Sequence, residues 1–173
     1  MSWKLMTARR AMAMGGALIL GAGLAVSAHS QTPPAGASPA AGPSPARTAI
    51  EYRKAVYTLI GANFRLLGNV LKGSAPYDAA TVQKNIARLV FLSDLVSEGF
   101  PEVSNVGEPD TKAKADVWTN RADFDQKVKD FQTHLVALQQ VNDAEKGPTE
   151  AFKTAAAQVG QDCKACHDTY KAK

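Results

Sequence analysis

The chain has 173 residues, a length suited to one domain, with hydrophobic residues at 45% and charged residues at 21%, ordinary values for a soluble globular protein. Its formal net charge is +4, but Lys4, Arg9 and Arg10 stand in the first 28 residues with no acidic residue among them. Setting those three aside leaves 17 basic against 16 acidic residues, a net of +1. The basic balance therefore sits mostly in the leader, and a phosphate-binding or nucleic-acid-binding role loses its main support.

Residues 1–28 have the three parts of a secretory signal peptide: a basic start, an apolar run of small residues over 11–26, and Val26-Ser27-Ala28 as the cleavage site. An uncleaved membrane anchor is the competing reading. The apolar run is short and glycine-rich for a span of about 20 residues. Residues 29–47 hold five of the nine prolines, Pro33 to Pro45, separated by Ala, Gly and Ser. Such a segment buries too little apolar surface to fold, and it reads as a disordered tether. The folded domain is expected over 48–173, long enough for one core.

Four segments of this domain carry helical periodicity. Thr48 to Glu51 fits a capping box. Ile50, Tyr57, Ile60, Phe64, Leu67 and Leu71 follow as an apolar stripe, and Gly73 is placed to stop the helix. A second helix opens at Asp78, carries Val82, Ile86, Leu89, Val90 and Leu95 or Val96, and is expected to end near Gly99-Phe100-Pro101. Residues 99–116 read as a long polar connection. A third helix starts near Asn120, with Phe124, Val128, Phe131, Leu135 and Leu138 at spacings of 4, 3, 4 and 3. Gly147-Pro148 breaks the chain and sets proline in the first turn of a fourth helix. Its stripe is Phe152, Ala156, Val159, Cys163, Cys166 and Tyr170. No stretch alternates with period two, so the expected fold is all-α, an antiparallel four-helix bundle.

Both cysteines fall in one run, Cys163-Lys164-Ala165-Cys166-His167. C-x-x-C-H is the signal for covalent attachment of a c-type haem, with each thiol added to one vinyl group. On a helix, positions 163, 166 and 167 share a face, which puts the His167 imidazole under the ring as proximal iron ligand. Three other readings use the same residues. A disulfide would close only a tiny loop. A thioredoxin-like thiol pair needs a strand-to-helix context that is missing. A zinc site needs more ligands than these three residues supply.

The four methionines, Met1, Met6, Met12 and Met14, all lie in the leader, which excludes a His/Met haem in the mature chain. His29 lies at the cleavage site or in the tether, and His134 stands one position off the third stripe. A dedicated electron carrier with His134 as sixth ligand remains an alternative to an iron whose distal side is open. An open iron can accept a small gas. No Ser/His/Asp set, paired carboxylates or phosphate-cradling glycine loop marks an enzyme.

The sequence resembles cytochrome c prime, the bacterial class II cytochromes c. The resemblance covers 48–173 and rests on Tyr52-Arg53, Lys72-Gly73, Pro76-Tyr77-Asp78, Val117-Trp118 and the C-terminal Cys163-Lys164-Ala165-Cys166-His167-Asp168. It implies a periplasmic protein with one haem c, a five-coordinate high-spin iron held by His167 alone, and NO or CO as ligand. Single-electron transfer to an unidentified redox partner and a homodimer through the first two helices are also implied. It puts Tyr57 at the position that blocks the distal face, where many members have Leu, with Ile60 and Phe64 completing the wall. Arg53 matches an arginine used beside a haem propionate, a pairing a guanidinium suits. Tyr170 and Lys171 are expected near the haem. Lys171 departs from the arginine many members place four residues after the ligand histidine, and it lacks the planar fork for stacking on the proximal ring.

Overall fold

The computed structural model describes residues 42–107 and 109–173. The segment read as a signal peptide and most of the one read as a tether lie outside the described residues. Among the described residues there are five α-helices: α1 (Pro45–Leu71), α2 (Ala79–Asp94), a single-turn α3 (Asp116–Thr119), α4 (Arg121–Glu145) and α5 (Glu150–Tyr170). The four long ones form the antiparallel four-helix bundle expected from the sequence. Among the described residues there is no strand, only an isolated antiparallel bridge between Ala113 and Lys171. No described helix is long and apolar enough to cross a membrane.

Local chemistry sets the helix ends. The α1 helix starts three residues before the expected Thr48, so Pro45, Ala46 and Arg47 belong to the helix and not to a tether. Ser44 caps it, its hydroxyl accepting from the Arg47 amide at 3.3 Å. Pro45 fills the first helical position, where its missing N–H costs nothing. At the far end Gly73 takes φ +69°, the left-handed conformation that lets the chain turn out of the helix. Asp78 caps α2 as expected, accepting from the Thr81 amide at 2.8 Å. The α5 cap is Thr149, which accepts from the Phe152 amide. Pro148 therefore precedes the cap instead of entering the first turn.

The apolar stripes meet in one core of Leu67, Ile86, Leu89, Leu135, Leu138 and Phe152, all fully buried, with Val82, Ala156 and Val159 among them. Burying one such side chain contributes about 1.5–3 kcal/mol. Along α1 the stripe divides. Ile50, Val56, Ile60, Leu67 and Val70 are buried, whereas Tyr57 and Phe64 are only half-buried. The division follows the packing: α1 lies along α2, α2 along α4, and α4 along α5, but α1 and α5 meet at few points.

The crossover after α2 departs most from expectation. The α2 helix stops at Asp94, and two 3-10 turns follow, Ser97–Gly99 and Glu102–Ser104. Far from being a solvated polar connection, this stretch buries Val96, Phe100, Ser104 and Thr111. Its central member is Phe100, in edge-to-face contact with Tyr57, Trp118 and Phe124 at centroid distances of 6.3, 6.1 and 4.9 Å. Gly99 is required by proximity to α1: a Cβ there would stand 2.6 Å from the Arg53 Cβ and 3.2 Å from its Cα.

Gly99→Ala is expected to lower the unfolding free energy by about 1–3 kcal/mol, the usual cost of overpacking a close contact. Chemical denaturation of the holoprotein measures it, and an unchanged midpoint would show that the turn can slide away from α1.

Candidate haem site

Between α1 and α5 the bundle leaves a cavity of about 570 Å³, within the range of small-molecule sites. Tyr57, Ile60 and Phe64 line it from α1, and Cys163, Cys166 and His167 from α5. Phe124, Val128 and Phe131 of α4 and Phe100 and Val117 of the crossover close the back. Every residue expected at the site reaches this one cavity, Arg53, Tyr170 and Lys171 included.

The α5 helix carries the chemistry because its stripe changes character along its length. Phe152, Ala156 and Val159 bury into the core, and the same face then continues as Cys163 and Cys166, half-buried free thiols at the cavity wall. The last turn is pinned from outside. The Lys114 amide donates to the Tyr170 carbonyl at 2.9 Å and the Ala172 amide to the Lys112 carbonyl at 2.8 Å. Lys114 Nζ donates to the Thr169 carbonyl at 2.6 Å, and the Tyr170 hydroxyl to Asp123 Oδ2 at 2.5 Å. These bonds fix the turn that holds His167.

Burial raises the pKa of both thiols, that of Cys163 to about 11, with Asp162 beside it adding to the shift. Burial lowers the pKa of His167, and the Lys171 cation lowers it further, against an opposing pull from Asp168. Both effects favour the neutral imidazole, the form that binds a metal.

Arg53 ties α1 to the crossover. It is buried, and its terminal nitrogens are committed to the crossover. Nη1 donates to Gly99 O at 3.1 Å and Ser104 Oγ at 2.8 Å, while Nη2 donates to Ser104 O at 3.3 Å and Thr111 Oγ1 at 2.6 Å. Its guanidinium also faces the rings of Phe100 and Trp118, at 5.2 and 5.7 Å from their centroids. These bonds use the four terminal N–H donors and leave Nε–H, while Arg53 also lines the cavity where the resemblance implies a propionate. His134, the alternative sixth ligand, is not among the residues lining the cavity, and its Nδ1 lies 2.8 Å from Asp162 Oδ2.

Sequence reasoning missed Phe100, hidden beside the Gly-Pro break, and Asp162, which reaches the cavity wall from the position before Cys163. An apolar aromatic inside an otherwise polar connection was the available signal for Phe100.

The donor set fits a haem. Two thiols and one imidazole from the last turns of α5 line a largely apolar cavity, the donor set that would hold a covalently attached haem. Among the described residues no cluster of three or more His, Cys, Asp or Glu could hold a bare metal ion instead.

Comparison with known proteins agrees with this geometry. The family model for cytochrome c prime matches residues 48–171. The chain is 37% identical over 125 residues to cytochrome c prime of Alcaligenes xylosoxydans xylosoxydans, covering 72% of this chain and 94% of the relative. It is 35% identical to that of Rubrivivax gelatinosus, covering 72% and 95%. Among solved structures, cytochrome c prime from Shewanella frigidimarina superposes with a TM-score of 0.67 at 39% identity, covering 74% of this chain and 97% of that one. A ferrous variant of the Alcaligenes xylosoxidans protein with bound NO superposes at 0.66 and 37% identity, covering 74% and 96%.

Replacing both Cys163 and Cys166 with Ser is expected to abolish haem that survives a denaturing gel, read by haem stain; retained stain would refute attachment at these thiols. The protein is also expected to lose stability above about pH 10, the ordinary tyrosine value. Burial raises the folded-state pKa of Tyr57, Tyr170 and Tyr77, while the hydrogen bond to Glu98 raises that of Tyr52. Stability is then full below the unfolded pKa and falls as the unfolded chain alone sheds protons. Denaturation midpoints at pH 8 and pH 11 check this, and equal midpoints would contradict it.

Proposed function

The chain belongs to the cytochrome c prime family and carries haem c attached covalently through Cys163 and Cys166; on that premise we propose that it is a periplasmic protein that binds NO, and also CO, at a five-coordinate, high-spin iron. The observation that carries the proposal is the composition of the cavity wall. His167 is the one histidine lining the cavity among the described residues, and the α1 side opposite offers Tyr57, Ile60 and Phe64, none of them an iron ligand in this setting. The structure of a relative with bound NO supports the choice of ligand.

The haem supplies an iron coordination position able to take a diatomic gas and to change its charge by one electron. The chain's own residues set the conditions. His167, its pKa lowered by desolvation and by Lys171, would hold the iron through its imidazole. Cys163 and Cys166 fix the ring to α5. Tyr57, Ile60 and Phe64 crowd the opposite side, so an entering molecule must displace side-chain bulk before it binds. Phe100 and Phe131 add apolar surface to the cavity wall. Lys171, exposed on the α5 side, offers a point charge without the stacking surface of an arginine.

A dedicated carrier with His134 as sixth ligand loses its support, because that imidazole is turned to Asp162. A non-haem use of the two thiols is disfavoured by their raised pKa, which withholds the thiolate needed for metal binding or disulfide exchange. Self-association through α1 and α2 is supported by Leu59 and Phe91, apolar side chains left exposed there.

Titration of the reduced holoprotein with CO and NO, followed at the Soret band, tests the proposal. A high-spin spectrum that shifts with each gas is expected; a low-spin spectrum that ignores both would sink it. Tyr57→Ala is expected to speed CO association by about tenfold or more, equivalent to ~1.4 kcal/mol off the barrier. An unchanged rate would show that Tyr57 does not restrict entry.

A further inference from the structure

The chain has four tyrosines, and three of them have a hydroxyl partner. Tyr52 donates to Glu98 at 2.7 Å, Tyr77 to Asn142 at 2.9 Å, and Tyr170 to Asp123 at 2.5 Å. The Tyr57 hydroxyl has none among the described residues. Its ring is held at one edge by Phe100, and it lines the haem cavity.

The other hydroxyls of the same wall are already occupied. Thr58 Oγ1 donates to the Lys54 carbonyl at 2.7 Å. Thr111 Oγ1 accepts from Arg53 and from the Ala113 amide. The Asp162 carboxylate is taken by His134. Tyr57 is therefore the hydroxyl of the wall that no protein group holds, and it stays accessible from the cavity. Once a ring fills the cavity and displaces water, a hydroxyl without a partner sacrifices hydrogen-bond free energy, and a ligand with an acceptor atom recovers it.

We infer that Tyr57 selects among ligands, its hydroxyl donating a hydrogen bond to the outer atom of a diatomic bound in the cavity and so favouring NO over CO. This rests on the haem reading above. The discrimination follows from charge: NO bound to iron places more electron density on its outer atom than CO does, and a donor in an apolar surrounding rewards that difference. The donor is present at every physiological pH, because burial, the largest cause, holds the phenol far above its ordinary pKa. That cause persists when the two thiols have become thioethers. Ile60 and Phe64, also on the α1 side, carry no polar atom and cannot substitute for it. Tyr57 thus combines two separable effects: ring bulk slows every ligand, and the hydroxyl ranks them.

Tyr57→Phe separates the two. It keeps the ring and removes only the hydroxyl. In the holoprotein the NO-to-CO affinity ratio is expected to fall about two- to tenfold, the span one hydrogen bond is worth. The C–O stretching band of the CO complex is expected to move to higher frequency. An unchanged ratio with an unchanged band overturns the inference. Tyr57→Leu serves as the bulk control; a ratio that changes with Leu but not with Phe also overturns it, because shape would then be the selector. Wild-type NO complex moved into deuterium oxide gives a check that needs no variant: the N–O band is expected to shift, and that shift is expected to vanish in Tyr57→Phe. A wild-type holoprotein that forms neither complex refutes the proposed function itself, whereas two complexes with no Tyr57→Phe effect refute only the selection.

Discussion

The separation of α1 from α5 is the constraint on which the rest of the structure depends. A four-helix bundle ordinarily closes four seams with interdigitated side chains. Here three seams are closed and the fourth is held open. Tyr57 and Phe64 on one side and Cys163 and Cys166 on the other would otherwise be core positions, since each continues a stripe whose neighbours are fully buried. The site is therefore a part of the core left for a cofactor, and it inherits the core's dryness and rigidity.

An open seam tends to collapse, and the crossover opposes that. Gly99 lets the chain lie against α1, and Arg53 then reaches the crossover with four hydrogen bonds. From Thr111 the same segment runs on to the bridge at Ala113, where it holds the end of α5. One stretch of irregular backbone thus spans the two helices that meet at few points. Phe100 fills the angle beneath it, in contact with both α1 and α4 aromatics. A buried arginine used in this way satisfies backbone carbonyls that would otherwise be stranded under a loop.

What could be read in advance was local. The α5 spacing and the C-x-x-C-H run lie within 21 residues, and a helix puts them on one face by its pitch alone. The caps at Asp78 and the stop at Gly73 depend on neighbours three residues away. What stayed hidden depended on distance or on disguise. Ser104 and Thr111, the partners of Arg53, stand 51 and 58 positions away and are ordinary polar residues. Ser44 and Pro45, which start α1, look like the last units of the proline-rich segment before them. Periodicity put Tyr57 and Leu67 on one stripe, but it could not say that Leu67 would be fully buried and Tyr57 would line a cavity, because that depends on how closely the neighbouring helix packs.

The two thiols have a thermodynamic consequence. A cofactor held only by contacts stabilises a fold in proportion to its free concentration, and dilution removes the benefit. Two carbon–sulfur bonds take concentration out of that relation. Once Cys163 and Cys166 are joined to the ring, the open seam is filled by a group that cannot leave, and the folded state no longer shares an equilibrium with a haem reservoir. That converts occupancy from a matter of affinity into a matter of history: each chain is either completed once or never.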